Sequence, residues 1–183
     1  MNHYIDVTLK PDAEMRENLL LNMLYSKLHK ALIDLRSRTI GVSFPQYQVK
    51  LGKLLRIHGH SDGLQSLQQT NWIGGLVGYC EITPIKKIPD VIGYRTVSRI
   101  RPNMSNSKLR RLKQRNSISE ADIKNYKAKM YAQSLDNPYL ELISSTNGQR
   151  YRRFIKFGEL VDQPKVGQFD YFGFSKTATI PWF

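Results

Sequence analysis

The chain has 183 residues, with 28 Lys and Arg against 15 Asp and Glu, a formal net charge of +13 that favours an anionic partner without naming it. Hydrophobic residues at 40% and aromatics at 10% allow one good core, or two small lobes sharing one, so the chain should fold. Cys80 is the single cysteine, which excludes an internal disulfide and a cysteine zinc cage and suits a reducing cytoplasm. The opening Met1 to Asp6 has no basic stretch leading into an apolar run, so no signal peptide is expected. No apolar run approaches the ~20 residues of a membrane span.

Ile5, Val7 and Leu9 alternate with Asp6 and Thr8, which predicts a strand over 3–9. Asp12 can cap a helix over 13–36, whose apolar stripe is Met15, Leu19, Leu20, Met23, Leu24, Leu28, Ala31, Leu32 and Leu35. A short strand ends at Gly41 to Pro45, and a third covers Leu54 to His58. Asp62 can cap a short helix carrying Leu64 and Leu67, and a fourth strand runs over Leu76 to Ile82. The order β-α-β-β-α-β is the ferredoxin-like plan over residues 1–90, in an α+β chain. That plan hosts many activities. Arg56 to His60 on the third strand also lacks the aromatic signature of sheet-face RNA stacking, so any RNA should bind elsewhere.

Residues 91–183 read as a smaller, irregular α/β domain with a basic helix and a β-hairpin. A strand carries Tyr94, Arg95, Val97, Arg99 and Arg101 and leads to Pro102. Helices follow over 106–116 and 120–133, with Ser119 and Asp122 spaced as a capping box. Tyr139 to Ser144 and Gln149 to Phe157 are strand-like, joined by the turn pair Asn147-Gly148. Gln168 to Ser175 predicts one more strand.

The basic helix is the sharpest chemical feature. Lys108, Arg110, Arg111, Lys113 and Arg115 fill five of eight positions, with Leu109 and Leu112 left to anchor it. Like charges at this density destabilise an isolated helix, and a polyanion would relieve them. A solvated helix on a generally basic protein is the other reading. Arg150, Arg152 and Lys156 alternate with Tyr151, Arg153 and Ile155 on a strand, where arginine forks suit phosphates and a tyrosine ring can stack on a base. Arg99 and Arg101 share one strand face and could read guanine edges, or could be plain surface arginines. His29 lies at the border of the apolar stripe, where a histidine is either structural or a general acid or base. His58 and His60 face one side of a strand, but only Asp62 is near to complete a metal site, so none is expected. Ser144 to Gly148 is either turn chemistry or a place for a hydroxyl beside a ribose.

Together these residues resemble a known family, the repeat-processing endoribonuclease of the subtype I-F CRISPR system, the Csy-type branch of the Cas-six group. The similarity runs nearly end to end. It takes in His3-Tyr4, Lys27-Leu28-His29, Ile40 to Pro45, Leu55 to His58, Tyr94-Arg95 with Val97-Ser98-Arg99, and the arginine helix. It continues through Gly148-Gln149, Phe154-Ile155, Gly173 with Ser175-Lys176, and Pro181-Trp182-Phe183.

The resemblance implies a ferredoxin-like domain followed by one with an arginine-rich helix. It implies a cytoplasmic enzyme without metal or other cofactor, monomeric when free, that cuts CRISPR repeat RNA at the base of its stem-loop. The 2′-hydroxyl attacks the adjacent phosphate and leaves a 2′,3′-cyclic phosphate. The enzyme then stays on the crRNA 3′ hairpin as a subunit of the surveillance complex. A hairpin-binding protein without catalysis is the alternative, since some relatives only hold the hairpin. Carried over by position, His29 matches the catalytic histidine and Ser144 the serine that holds the ribose, with Ser145 and Thr146 close enough to exchange that role. Lys108, Arg110, Arg111, Lys113 and Arg115 fall on the helix that enters the hairpin's groove. Arg99 matches a base-reading arginine, Arg101 stands where the family can carry glutamine, and Tyr151 matches an aromatic that stacks beside the cut. Gln149 and Phe172 complete the expected RNA contacts. Phe172, with Tyr171 beside it, stands where the family can place a tyrosine, so a phenol that orients His29 must come from elsewhere or be absent.

Overall fold

The computed structural model describes residues 1–101, 106–132, 136–144 and 148–183. Pro102, Ser145, Thr146 and Asn147 of the sequence reading lie outside them. Strand β1 (His3–Leu9), helix α1 (Glu17–Asp34), β2 (Gly41–Ser43), β3 (Leu54–Gly59), α2 (Ser61–Gln69) and β4 (Cys80–Ile82) follow in the expected order. They form a sheet ordered β2-β3-β1-β4 with every pair antiparallel, the ferredoxin-like arrangement. β5 (Lys86–Lys87) carries the edge on along β1, pairing with His3 and Tyr4.

Several boundaries differ from the sequence reading, each for a local reason. Asp12 Oδ1 accepts from the backbone N–H of Glu14 and Met15, so it closes a separate turn. Arg16 then stays extended and α1 begins at Glu17. The buried face of α1 is Leu20, Leu21, Leu24, Tyr25, Leu28, Ala31 and Leu32. Leu19 and Met23 are exposed, so the true stripe takes in Leu21 and Tyr25 instead. Asp62 sits in the first turn of α2 and not at its cap, which is His60. The predicted fourth strand starts late because Gly74–Tyr79, with three glycines, winds into a 3₁₀ turn first.

The two faces of the sheet are covered by different parts of the chain. Ile5, Val7 and Leu9 on β1 and Leu55 and Ile57 on β3 are buried in the main core with α1. Tyr4 and Asp6, and Arg56 and His58, alternate with them and point to the other face. Arg56 holds Asp6 bidentately, Nε to Oδ1 at 2.7 Å and Nη2 to Oδ2 at 2.9 Å, donates Nη1 to the Phe183 carbonyl, and lies 3.9 Å over the Phe183 ring. The C-terminal residue therefore caps the face that an RNA-stacking sheet would leave open.

In the second half, the predicted strand over Tyr94 to Arg101 is two strands, β6 (Gly93–Arg95) and β7 (Val97–Ile100). Helices α3 (Asn106–Gln114) and α4 (Glu120–Ala132) follow, α4 with its capping box: the Asp122 N–H donates to Ser119 Oγ, and that hydroxyl donates to Asp122 Oδ2. β8 (Tyr139–Ile143) and β9 (Arg150–Phe157) pair as the predicted hairpin, and β7 joins the other edge of β9. β10 (Ile180–Trp182) pairs with β6 as a further strand that the sequence reading does not contain, with Pro181 accommodated in a short two-stranded ladder. Gln168 to Ser175 forms no strand, since the Asp170 carboxylate competes for its backbone donors. Leu109 of α3 and Tyr126 of α4 are buried but stand apart from the main core cluster.

His58 is fully buried, its Nε2 2.8 Å from Ser43 Oγ, and burial with the Arg56 charge pushes its imidazole down to about 3. The unfolded chain takes that proton near the ordinary histidine value and the folded one does not, so stability is lost as pH falls from about 6.5 toward 3. His29 acts in the same direction. Urea titrations between pH 7 and 4 should show stability falling by up to about 1.4 kcal/mol per pH unit from His58 alone, and His58→Gln should flatten that slope.

Candidate active site and nucleic-acid interface

The segment Phe169 to Phe174 crosses the C-terminal half of α1 with its backbone pinned almost atom by atom. Phe169 exchanges two bonds with Arg38, its N–H to the Arg38 carbonyl and its carbonyl from Arg38 Nε. The Tyr25 hydroxyl donates to the Phe172 carbonyl from within the core. The Val42 N–H on β2 donates to the Gly173 carbonyl at 3.0 Å. Asp170 Oδ1 accepts from Phe172 and Phe174 N–H, both at 2.9 Å, and closes the turn. Gly173 adopts φ +70°, and a Cβ there would meet Val42 Cγ1 at 2.8 Å, so only glycine fits.

His29 reaches this turn from one side of α1. Its Nδ1 lies 2.7 Å from the Tyr171 carbonyl oxygen. A carbonyl only accepts, so Nδ1 carries the hydrogen and Nε2 keeps its lone pair. The imidazole is half-buried, and burial lowers its pKa below the ordinary value. The Tyr171 bond and Asp170 act against that shift, while Arg153 adds to it. The net result is a neutral ring at neutral pH with one free basic nitrogen, the form a general base needs. No phenol orients it: the ring of Phe172 stacks on the imidazole at 3.4 Å between centroids, 17° from parallel.

The other side of this turn is β9. Arg153 is only 5% exposed, with its guanidinium 3.4 Å from the centre of the Phe172 ring and 5.9 Å from that of Tyr151. Tyr151, two residues before it, shares its strand face. The structure thus links His29, Phe172 and Tyr151 of the predicted site through Arg153, which sequence reading left out of it. Arg99 on β7 is close enough for burial, Arg153 and Arg101 to lower its pKa, in that order.

A groove of about 1290 Å³ opens beside these residues, lined by Arg99, Arg101, Lys156, Lys165 and Lys176 against Asp170 and Glu159. Five cations to two anions make it a place for a polyanion. Lys165 and Lys176 were also missing from the predicted set. Asp170 belongs both to the groove wall and to the turn that holds His29. On α3, Lys108, Arg110, Arg111 and Lys113 are exposed, as is Arg115 just beyond it, while Leu109 is buried, as the spacing required. Ser144 is half-buried where the hairpin closes, its N–H donating to the Gln149 carbonyl and its carbonyl accepting from Gly148. Gln149 is exposed there. The backbone N–H of Glu141 on β8 donates to Asn22 Oδ1, docking the hairpin on α1. Arg150 and Arg152 face away from the site, 3.9 and 3.8 Å from the Glu141 carboxylate. Among the described residues no cluster of three or more His, Cys, Asp or Glu could hold a metal, and no helix is long and apolar enough to cross a membrane.

A family model described as CRISPR-associated protein (Cas_Csy4) matches residues 4–183. The chain belongs to the Cas_Csy4 family. It is 36% identical over 184 residues to the CRISPR-associated endonuclease Cas6/Csy4 of Escherichia coli (strain UTI89 / UPEC), with both chains wholly covered. It is also 36% identical over 187 residues to the protein of the same name from Pseudomonas aeruginosa (strain UCBPP-PA14), again over the whole of both. A solved structure of the CRISPR endoribonuclease Cse3 bound to 19 nt RNA covers both chains at 15% identity and a TM-score of 0.36, too loose a likeness to build on. Within the Cas_Csy4 family, membership extends over the ferredoxin-like sheet, the turn against His29 and the arginine helix alike.

Arg153 could have been found from sequence by its phase: it falls on the same side of β9 as Ile155, which is buried. The turn at Gly173 gives a direct test of the site's construction. Gly173→Ala should cost about 2 kcal/mol or more, from a left-handed backbone and the clash with Val42. A melting curve of the variant checks it.

Proposed function

We propose that this protein is a sequence- and structure-specific endoribonuclease. It cuts CRISPR precursor RNA at the base of the repeat stem-loop, needs no metal, and stays on the crRNA 3′ hairpin as a subunit of the type I-F surveillance complex. The observation that carries this reading is the His29 geometry: Nδ1 committed to the Tyr171 carbonyl, Nε2 left basic, and a cationic groove alongside. The endonuclease names of the two relatives agree with it.

In this reading the ribose 2′-hydroxyl gives its proton to His29 Nε2. The O2′–P bond forms, the P–O5′ bond breaks, the departing 5′-oxygen takes a proton from water, and His29 gives its proton back to the solvent. The products are a 2′,3′-cyclic phosphate and a 5′-hydroxyl. Holding the three reacting atoms in line supplies much of the acceleration, and a positioned base adds about 10²–10⁴-fold. Ser144, or its neighbours Ser145 and Thr146, positions the ribose, Gln149 contacts the RNA beside it, and Tyr151 stacks beside the cut. Arg99 and Arg101 read bases at the foot of the stem. Lys108, Arg110, Arg111, Lys113 and Arg115 grip the stem through phosphates, because a deep A-form groove hides its base edges. Residues 1–90 serve as the scaffold and 91–183 as the RNA-binding domain. The free protein is a monomer and works in the cytoplasm.

Labelled repeat RNA incubated with excess protein in EDTA tests this. Wild type should cleave, and His29→Ala should bind with similar affinity but cleave about 10²-fold more slowly or worse. Cleavage lost in EDTA contradicts the metal-free mechanism. RNA bound tightly but left intact by wild type supports the non-catalytic hairpin-holding protein instead.

A further inference from the structure

Arg153 is a buried cation that forms no ion pair among the described residues. Its Nε is buried without a hydrogen bond. A charge buried in this way is costly, so its placement calls for a compensating interaction. The closer of the two on hand is the face of Phe172, whose ring quadrupole attracts a cation, with the Tyr151 ring further off.

The distances fix the arrangement further. The Arg153 guanidinium carbon and the His29 ring centre each lie 3.4 Å from the centre of the Phe172 ring. Two groups that close cannot share one face without overlapping each other or the ring. Guanidinium and imidazole therefore occupy opposite faces, with Phe172 between them. Both faces of Phe172 are then taken, which leaves none to stack on a base.

We propose that Arg153 is a positioning residue for His29: it presses Phe172 flat against the imidazole and keeps a positive charge one ring away from it. The inference rests on the endoribonuclease reading for its consequence. His29 faces three influences: Arg153 from β9, Asp170 from the turn, and the Tyr171 carbonyl at Nδ1. Tyr25 on α1 is neutral and buried, and Arg99 and Tyr151 act on Arg153 and its surroundings. Arg153 is the one positive charge among the groups that act on His29, and it opposes protonation.

Single-turnover cleavage of the hairpin by wild type, Arg153→Gln and Arg153→Lys from pH 5.5 to 9 tests this, with hairpin affinity measured alongside. Arg153→Gln keeps a flat group and removes the charge. Its acid limb should move to higher pH, with a rate about threefold or more below wild type at pH 6 and within about twofold at pH 8.5. Arg153→Lys should keep the wild-type limb, and hairpin affinity should stay within about twofold for both. If Arg153→Gln does not melt cooperatively, Arg153→Met, which buries no polar head, is read in its place. A limb that does not move overturns the proposal. So does an equal loss at every pH, or an affinity loss of about tenfold, since either makes Arg153 a direct phosphate contact. If wild type cleaves nothing, the nuclease reading fails. The proposal is then judged by NMR titration of His29 in the free protein, where an upward move in the variant supports it and no move overturns it.

Discussion

The site depends on how the turn over Phe169 to Phe174 is held. Its carbonyls are gripped from the ferredoxin-like half, by Arg38 at Phe169, His29 at Tyr171, Tyr25 at Phe172 and Val42 at Gly173. Its amides are gathered by Asp170. Because three of these bonds come from α1 and β2, which pack in the main core, the turn is fixed relative to α1 before any ligand arrives. The histidine is both a member of this clamp and its product. The bond that secures the turn is the same bond that chooses the imidazole tautomer, so folding the turn and setting the state of the ring are not separable here.

Closing the C terminus over the sheet has a second consequence. With Arg56 tied to Asp6 and to Phe183, the face of β1 and β3 that could have stacked bases is filled. The chain's surplus positive charge is displayed elsewhere, along α3 and around the groove between β7, β9 and the C-terminal segment. In the proposed function, with the flat sheet face blocked, RNA meets helix and hairpin instead. Such an interface reads shape and backbone more than base faces.

Much of this was legible from the residues. The β-α-β-β-α-β order, the hairpin and the exposure of the arginine helix follow from alternation, helical spacing and turn residues, all of which are local signals. His29 was visible as a histidine on the edge of an apolar stripe, and family resemblance gave it a role. What sequence could not supply was the long-range pairing. Nothing local says that Tyr171, 142 positions from His29, offers it a carbonyl. Asp170 looked like a residue inside a strand, yet its side chain bonds made the strand a turn. β10 has no local signal, only three residues with Pro181 at the centre, and exists because β6 is there to pair with it. Arg153 read as one of several surface cations, and only the packing of Phe172 shows it to be interior.

The account's central claim is that the turn sets the state of the imidazole. Nitrogen NMR of ¹⁵N-histidine-labelled free protein near pH 7.5 measures it most directly. His29 should show a protonated Nδ1 and an unprotonated Nε2, and should titrate below the ordinary histidine value. A ring protonated on Nε2, or one that titrates above that value, would contradict the account.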